Sequence, residues 1–315
     1  MAAVPRKIVY LVGTTRCGST LIGTLLGQVP GVAHAGELAR IWQEGMIDNV
    51  RCGCGTPFRE CPFWTAVLER AFGGADRIDP RHMMEIAGRW ARTRYATRLA
   101  TARGRQRTVD GMREYSDATA ALYRGIAEVA EARIVLDSSK TPFLAWVLGE
   151  HADLDVHVLH VTRDPRAVVY SWQRKKFDPA RGKDMHAKDG ESPIGSSLAW
   201  LTWNGLAASL LGRRGSAGRY LHVRYEDFAA DPRAELRRVL DWLGEPAAAD
   251  ELIGDDHRFV NEPAHTIAGN PMRFQRGSVA IKPDTAWKTE ASPWDNLLVS
   301  GITWPLLSRY RYPLL

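Results

Sequence analysis

This sequence predicts an α/β fold, a P-loop-like domain with a central, mostly parallel β-sheet flanked by helices. Three observations predict it. Four short apolar runs, Ile8–Val12, Ile134–Leu136, Val156–Val161 and Tyr220–Val223, are each followed by polar or glycine residues and then by a helix-compatible stretch. Strands alternating with helices in this way build parallel sheets with crossover connections. The first run leads into a loop bounded by Gly13 and Gly18 and then into a helix. Finally, 315 residues with 45% hydrophobic and 25% charged content suit one large α/β domain with insertions, whereas disordered chains carry fewer apolar residues and coiled coils or collagens show a short repeat. A single domain over residues 1–315 is expected, with a helical, cysteine-containing insertion around 38–130.

The elements follow in order. After the first strand, a helix over Ser19–Val29 opens with hydroxyl residues and closes before Pro30-Gly31. Val32–Gly36 is a short strand-like segment. Met83, Ile86, Ala87 and Trp90 fall on one helical stripe within a segment from Pro80 to about Arg103. A helix over Pro165–Lys176 has Pro in its first turn and Lys175-Lys176 in its last, which suits the helix dipole. Asp231-Pro232 starts another, with Val239, Leu240 and Leu243 as its apolar stripe and Gly244 as its end. Lys176–Pro193 reads as a loop or lid, and His257–Glu290 as a loop without clear period.

The formal charge is +6, from 42 basic and 36 acidic residues, and arginine supplies 34 of the 42 cations. Arginine's fork suits phosphate and carboxylate, although a compositional bias of the coding DNA gives the same excess. Four cysteines do not make a disulfide framework in a chain of this size. Met1–Lys7 lacks a signal-peptide core, and the apolar runs fall well short of the ~20 residues of a membrane span. A cytoplasmic protein without a membrane span is expected.

Chemistry is expected at the carboxyl ends of the strands, where ligands of parallel sheets bind. The strongest local signal is Gly13-Thr14-Thr15-Arg16-Cys17-Gly18-Ser19-Thr20, between the first strand and its helix. Its glycines permit a tight turn that points successive N–H groups at one anion. Nucleotide hydrolases place Lys at the position of Ser19; here the only cation in the loop is Arg16, so the loop suits a phosphate or sulfate better than a nucleoside triphosphate. Leu159–Arg166 is a second strand ending in Arg163 and Asp164-Pro165, with Ser171 two turns into the next helix, a charged fork and a hydroxyl for a second phosphate. A third strand ends in Asp137-Ser138-Ser139-Lys140, which brings Lys140 to the same edge.

Together these residues resemble the sulfotransferases that use 3′-phosphoadenosine 5′-phosphosulfate (PAPS). In that family a P-loop-like segment, often ending Arg-Ser-Gly-Thr-Thr, holds the 5′-phosphosulfate, which implies Thr15, Arg16, Cys17, Gly18, Ser19 and Thr20 as its ligands here. An Arg after a central strand and a Ser eight residues later hold the 3′-phosphate, matching Arg163 and Ser171. The family's Tyr-Glu-Asp segment is matched by Tyr225-Glu226-Asp227 before a helix at Asp231-Pro232. Its late Arg-Lys-Gly motif is met only by Arg276-Gly277, without the lysine, with Trp287 downstream. The resemblance runs over residues 7–288 and implies a PAPS-dependent transferase acting on a small-molecule hydroxyl acceptor.

The transfer needs cations at the leaving phosphate oxygen, a base at the acceptor hydroxyl and alignment of the two. By analogy with phosphoryl transfer the transition state is loose, and the lower charge of the sulfuryl group implies no metal requirement. Arg16 is the candidate leaving-group cation. Lys140, in Lys140-Thr141-Pro142, resembles the second cation of the tyrosine-protein and heparan branches. Glu37 is the candidate base, by resemblance to the tyrosine-protein branch, and burial that raised its pKa would help it; its other reading is a helix N-terminal acid before Leu38-Ala39-Arg40. His34 and His265 are lesser candidates, and His265 precedes a turn-rich segment able to fold over the donor.

Other readings remain open. A P-loop kinase or other nucleotide-dependent phosphotransferase would use Asp137 to hold Mg²⁺. Residues 81–107 carry eight arginines and only Glu85 as an acid, which raises nucleic-acid binding with Trp90 and Tyr95 as stacking residues, against a solvated helix face. No nucleic-acid partner is expected, and the sequence leaves the oligomeric state open. Cys52, Cys54 and Cys61 lack a local fourth ligand for closed zinc; reduced thiols beside the acceptor cleft lead over zinc or a disulfide to Cys61.

Overall fold

The computed structural model describes residues 5–91, 93–174, 176–178, 183–185, 192–212, 218–245 and 249–314. In chain order the strands are β1 Lys7–Val12, β2 Val32–Gly36, β3 Ile134–Lys140, β4 Val156–Thr162, β5 Lys176–Asp178, β6 Lys183–Met185, β7 Tyr220–Arg224, β8 Arg258–Asn261 and β9 Gly277–Ala280. The helices are α1 Ser19–Leu26, α2 Pro62–Phe72, α3 Pro80–Trp90, α4 Ala102–Val129, α5 Pro142–Leu148, α6 Pro165–Gln173, α7 Pro193–Leu206, α8 Tyr225–Ala230, α9 Pro232–Leu243, α10 Ala249–Leu252, α11 Trp287–Glu290 and α12 Pro293–Leu307.

Five strands pair in the order β2–β3–β1–β4–β7, all parallel. The alternation along β1 explains the layers. Ile8, Tyr10 and Val12 face one core with Trp42, Trp64, Tyr123 and Phe143, while Val9 and Leu11 face the other with Ile22, Leu25, Phe228 and Leu240. Successive strand residues point to opposite faces, and helices cover both, so β3 and β4 are buried along their whole length. The chain winds to one side of β1 for β2 and β3, then crosses to the other for β4 and β7. Ligands bind at such a reversal, beyond the carboxyl ends of the strands.

All four apolar runs are strands of this sheet. The helices are shorter than their patterns. The first ends at Leu26, capped by Gly27, and α6 ends at Gln173, before the lysine pair. The stripe from Pro80 breaks after Trp90. A run of 3₁₀ turns over Thr93–Ala100 follows, and Thr101 then caps α4 by accepting a hydrogen bond from the Gly104 N–H at 3.0 Å. A strong N-cap starts a new helix where periodicity alone would continue the old one. In the segment 176–193, β5 and β6 pair antiparallel; residues 179–182 and 186–191 lie outside the described residues.

The stretch 257–290 is more ordered than its irregular sequence suggests. β8 and β9 pair antiparallel, and the segment between them lies along the edge of the sheet. The Ile267 N–H donates to Ala35 O at 2.9 Å and Ile267 O accepts from the Glu37 N–H at 2.8 Å. Edge strand β2 is thereby covered, and the backbone after it is fixed on both sides. Among the described residues no helix is long and apolar enough to cross a membrane.

Candidate active site

An open cleft of about 830 Å³ lies at the carboxyl ends of the strands, lined by Thr15, Arg16, Gly18, Ser19, Thr20, Glu37, Lys140, Arg163, Ser171 and Tyr225 among others. The loop after β1 forms its floor. Close packing sets this loop's sequence: a side chain at Gly13 would come within 2.3 Å of Val161 O, and one at Gly18, where φ is +97°, would strike the Tyr225 ring. Gly18 caps α1, so the first N–H groups of the helix, which lack intrahelical acceptors, open toward the cleft. That is an anion-binding arrangement.

Both floor cations sit on backbone that disfavours them. Arg16 and Lys140 have φ of +66° and +68°, a left-handed conformation costing non-glycine residues on the order of 1–3 kcal/mol. Lys140 ends β3 just beyond a register shift against β1 between Tyr10 and Val12. An irregularity of this kind re-aims a side chain that regular pairing would send into the core. Its ammonium binds Glu37 Oε1 and donates to Ser138 O at 3.2 Å. Arg16 lies over the Trp172 ring at 4.5 Å. Burial, and then the Arg163 cation, lower its pKa. Among the described residues the buried Nε atoms of Arg16 and Arg163 have no hydrogen-bond partner, as suits groups that receive an anion.

Glu37 follows β2 directly. Oε1 binds Lys140 and Oε2 binds Arg40 Nε at 3.0 Å, and Arg40 also reaches Glu44. Burial pushes the carboxyl up, but the Lys140 and Arg40 cations outweigh it and hold the group below its usual range. The rise by burial that would make Glu37 a better base is thus outweighed by two charged neighbours. Glu37 also stands at the N-cap position of the short turn Leu38–Arg40, although its side chain makes no cap hydrogen bond there.

At the other end, Arg163 donates from Nη1 to Arg16 O at 3.0 Å and from Nη2 to Asp284 Oδ2 at 2.7 Å, with its guanidinium 4.7 Å from the Tyr225 ring centre. Trp200 Nε1 fixes the Arg163 carbonyl at 2.8 Å. Ser171 and Trp172 on α6 and Tyr225 at the start of α8 complete this side. Glu226 takes a structural part, accepting from the Asp164 N–H at 2.8 Å and the Tyr312 hydroxyl at 2.9 Å.

Several sequence expectations are corrected. Arg276 and Gly277 do not line the cleft; the Arg276 guanidinium instead donates to the carbonyls of Gly53, Arg273 and Gln275. Lys282, absent from any motif, is the late lysine that does line it. Cys17 belongs to the loop, but its thiol is fully buried and its N–H closes a turn on Thr14 O at 3.3 Å. Asp137 is unsuited to Mg²⁺: it is buried, Oδ1 accepts from Ser139 and the Leu38 N–H, and Oδ2 accepts from Tyr123 at 2.7 Å. His34 is buried beneath α1, 3.1 Å from Ser138 Oγ, and burial with the Lys140 cation drives its pKa down to about 3. Arg98 covers the rings of both Trp90 and Tyr95, at 5.5 and 3.9 Å, leaving them poorly placed to stack on bases.

Other lining residues escaped sequence reading. Arg40 and Glu44 stand three and seven residues after Glu37, a helical spacing that could have suggested them. Asn270, Met272, Phe274 and Asp284 come from the segment without periodicity, and Trp172 carried only its adjacency to Ser171.

The comparisons with known proteins agree with this geometry. Two solved structures share the fold over nearly the whole chain. The sulfotransferase domain of the Synechococcus PCC 7002 olefin synthase is 21% identical, with a TM-score of 0.52 over 99% of this chain and 96% of that one. The sulfotransferase domain from the curacin biosynthetic pathway is 17% identical, with a TM-score of 0.56 over 99% of both chains. No curated protein sequence matches the chain significantly. The sequence model of the Sulfotransferase family matches residues 9–250, a span holding the loop after β1, Glu37, Lys140, Arg163 and Tyr225, and the chain belongs to that sulfuryl-transferring family.

Proposed function

We propose that this protein transfers the sulfuryl group of PAPS to the hydroxyl of a small-molecule acceptor, with Glu37 as general base and Arg16 and Lys140 as the leaving-group cations. The observation that carries the reading is the Lys140–Glu37 ion pair on the cleft floor. It sets an acid–base group and a buried cation side by side at the anion-binding loop.

The residues divide the donor between them. The N–H groups of the loop after β1, with Ser19 and Thr20, hold the 5′-phosphosulfate, and Arg163 with Ser171 holds the 3′-phosphate. Tyr225 supports the Arg163 guanidinium from one face. The adenosine bisphosphate leaves as an anion, and Arg16 and Lys140 balance the charge that grows on its 5′-phosphate as the sulfur–oxygen bond breaks. In the same step Glu37 takes the proton of the acceptor hydroxyl, whose oxygen forms the new bond to sulfur. The scheme uses no metal ion.

The ion pair also ties base strength to donor occupancy. With Lys140 on Glu37 the carboxylate is a weak base. An anionic donor draws the ammonium toward its own oxygens; Glu37 then loses its nearest cation, and burial raises its pKa. The base is strengthened when the donor occupies the loop. The test is a thermal-shift titration with adenosine 3′,5′-bisphosphate against ATP–Mg²⁺. Metal-free stabilisation by the bisphosphate supports the reading, and preference for ATP–Mg²⁺ contradicts it.

A further inference from the structure

The three cysteines that the sequence leaves without a fourth ligand gain one in the fold. Cys61 Sγ lies 3.3 Å from His265 Nδ1, a residue 204 positions away, and Cys52 Sγ lies 3.8 Å from the same nitrogen. Cys54 and Cys61 are 3.8 Å apart at sulfur. All four ligand atoms fall within 4.8 Å of one another. Tetrahedral zinc with Zn–S near 2.3 Å requires sulfur–sulfur edges of about 3.8 Å, whereas a disulfide requires about 2.05 Å. The separations have the size of a coordination tetrahedron.

We propose that Cys52, Cys54, Cys61 and His265 form a structural zinc site that fastens the wall of the cleft to the cysteine-bearing turn. The proposal does not rest on the PAPS reading. Four protein ligands close the coordination sphere and leave no position for a reactive water, and thiolates with one imidazole suit zinc. The surroundings are built to match. Cys52 and Cys61 are fully buried, and Phe63 stacks on the His265 ring at 4.7 Å with planes 8° apart, fixing its orientation. Three thiolates around Zn²⁺ leave one negative charge, and the Arg276 guanidinium binds the carbonyl of Gly53, between two of the ligands.

The location gives the metal its role. After His265 the chain pairs with β2 through Ile267, and residues 269–272 and 274–275 line the cleft beside Glu37 and Thr20. Besides the Arg276 bond to Gly53, two more hydrogen bonds hold this strap to the turn, Gly53 N–H to Thr266 O at 2.9 Å and Arg273 Nη2 to Arg51 O at 2.9 Å. Zinc adds a cross-link between segments distant in sequence, which a structural metal supplies as folding free energy.

The full chain, expressed with zinc in the medium and purified without chelator, is assayed for metal by plasma mass spectrometry. One tightly held zinc per chain is expected, lost on thiol blocking together with a fall in melting temperature. Cys54→Ser and His265→Ala are each expected to lower the zinc content, and cobalt substitution to give the spectrum of a tetrahedral thiolate site. Substoichiometric zinc, iron in its place, or a Cys54–Cys61 disulfide found by intact mass would overturn the proposal. The parent protein alone decides between these results, so a poorly folding variant does not.

Discussion

Lys140 and Glu37 meet across the ends of neighbouring strands β3 and β2 and form an ion pair whose side chains are only 6% and 12% exposed. The pair joins a residue on unfavourable backbone to a carboxylate whose pKa burial alone would raise. Each favours the other's charged state, and removing Glu37 leaves the buried ammonium without its counter-charge.

Glu37→Gln keeps the size of the side chain and removes the proton-accepting charge. Transfer is expected to fall by ~10²–10⁴-fold, the usual contribution of a general base, while adenosine bisphosphate binding persists. An acceptor with an acidic phenol should suffer less, because it needs less help in losing its proton. Single-turnover rates across a phenol series check this, and unchanged transfer would remove Glu37 from the base role.

Lys140→Met should weaken a pH dependence. In the parent, the lowered Glu37 pKa contributes stability that is complete above the ordinary carboxylate pKa of about 4.3 and is lost as pH falls through the lower folded value. Without the ammonium, Arg40 is left as the nearest cation opposing burial, and the folded Glu37 pKa rises toward its unfolded value. That variant should lose less stability than the parent as pH falls through the carboxylate range. Melting temperatures of both proteins between about pH 3 and pH 7 distinguish this flatter profile from a uniform loss.

Asp284→Asn should tighten the bisphosphate. Asp284 occupies Arg163 Nη2 at 2.7 Å, and a 3′-phosphate must share or displace it against like charge. Removing that competition is worth roughly 1 kcal/mol for a partly exposed carboxylate, or about fivefold in affinity. A weaker complex in calorimetry would instead mean that Asp284 holds Arg163 in its binding orientation.

How much could be read in the sequence follows from where each residue lies. Gly13–Thr20, Lys140 and Arg163 end strands whose apolar runs are plain, and a parallel sheet brings such ends to one edge. Glu37 was legible for the same reason, but its pKa was not, because Arg40 and Lys140 reach it from separate elements. The cleft wall between His265 and Asp284 was hidden. Its order comes from pairing with β2 and with the cysteine turn, which leaves no period in its own residues. Arg276 was misplaced because a motif gives a position in the chain and not a side-chain direction. His265 could not be joined to the cysteines, since the contact depends on the whole sheet lying between them in sequence.

The central claim, that this cleft holds a 3′-phosphorylated adenosine donor, is tested most directly by calorimetry. Adenosine 3′,5′-bisphosphate is titrated into the parent and into Arg163→Ala without metal, with adenosine 5′-monophosphate as the control. A charged hydrogen bond to the 3′-phosphate contributes ~1.5–3 kcal/mol, or roughly 10- to 150-fold in affinity. The bisphosphate should therefore bind the parent more tightly than the monophosphate by about that factor, and Arg163→Ala should erase the difference. Equal affinities for the two nucleotides in the parent, or an unchanged preference in Arg163→Ala, would contradict the account.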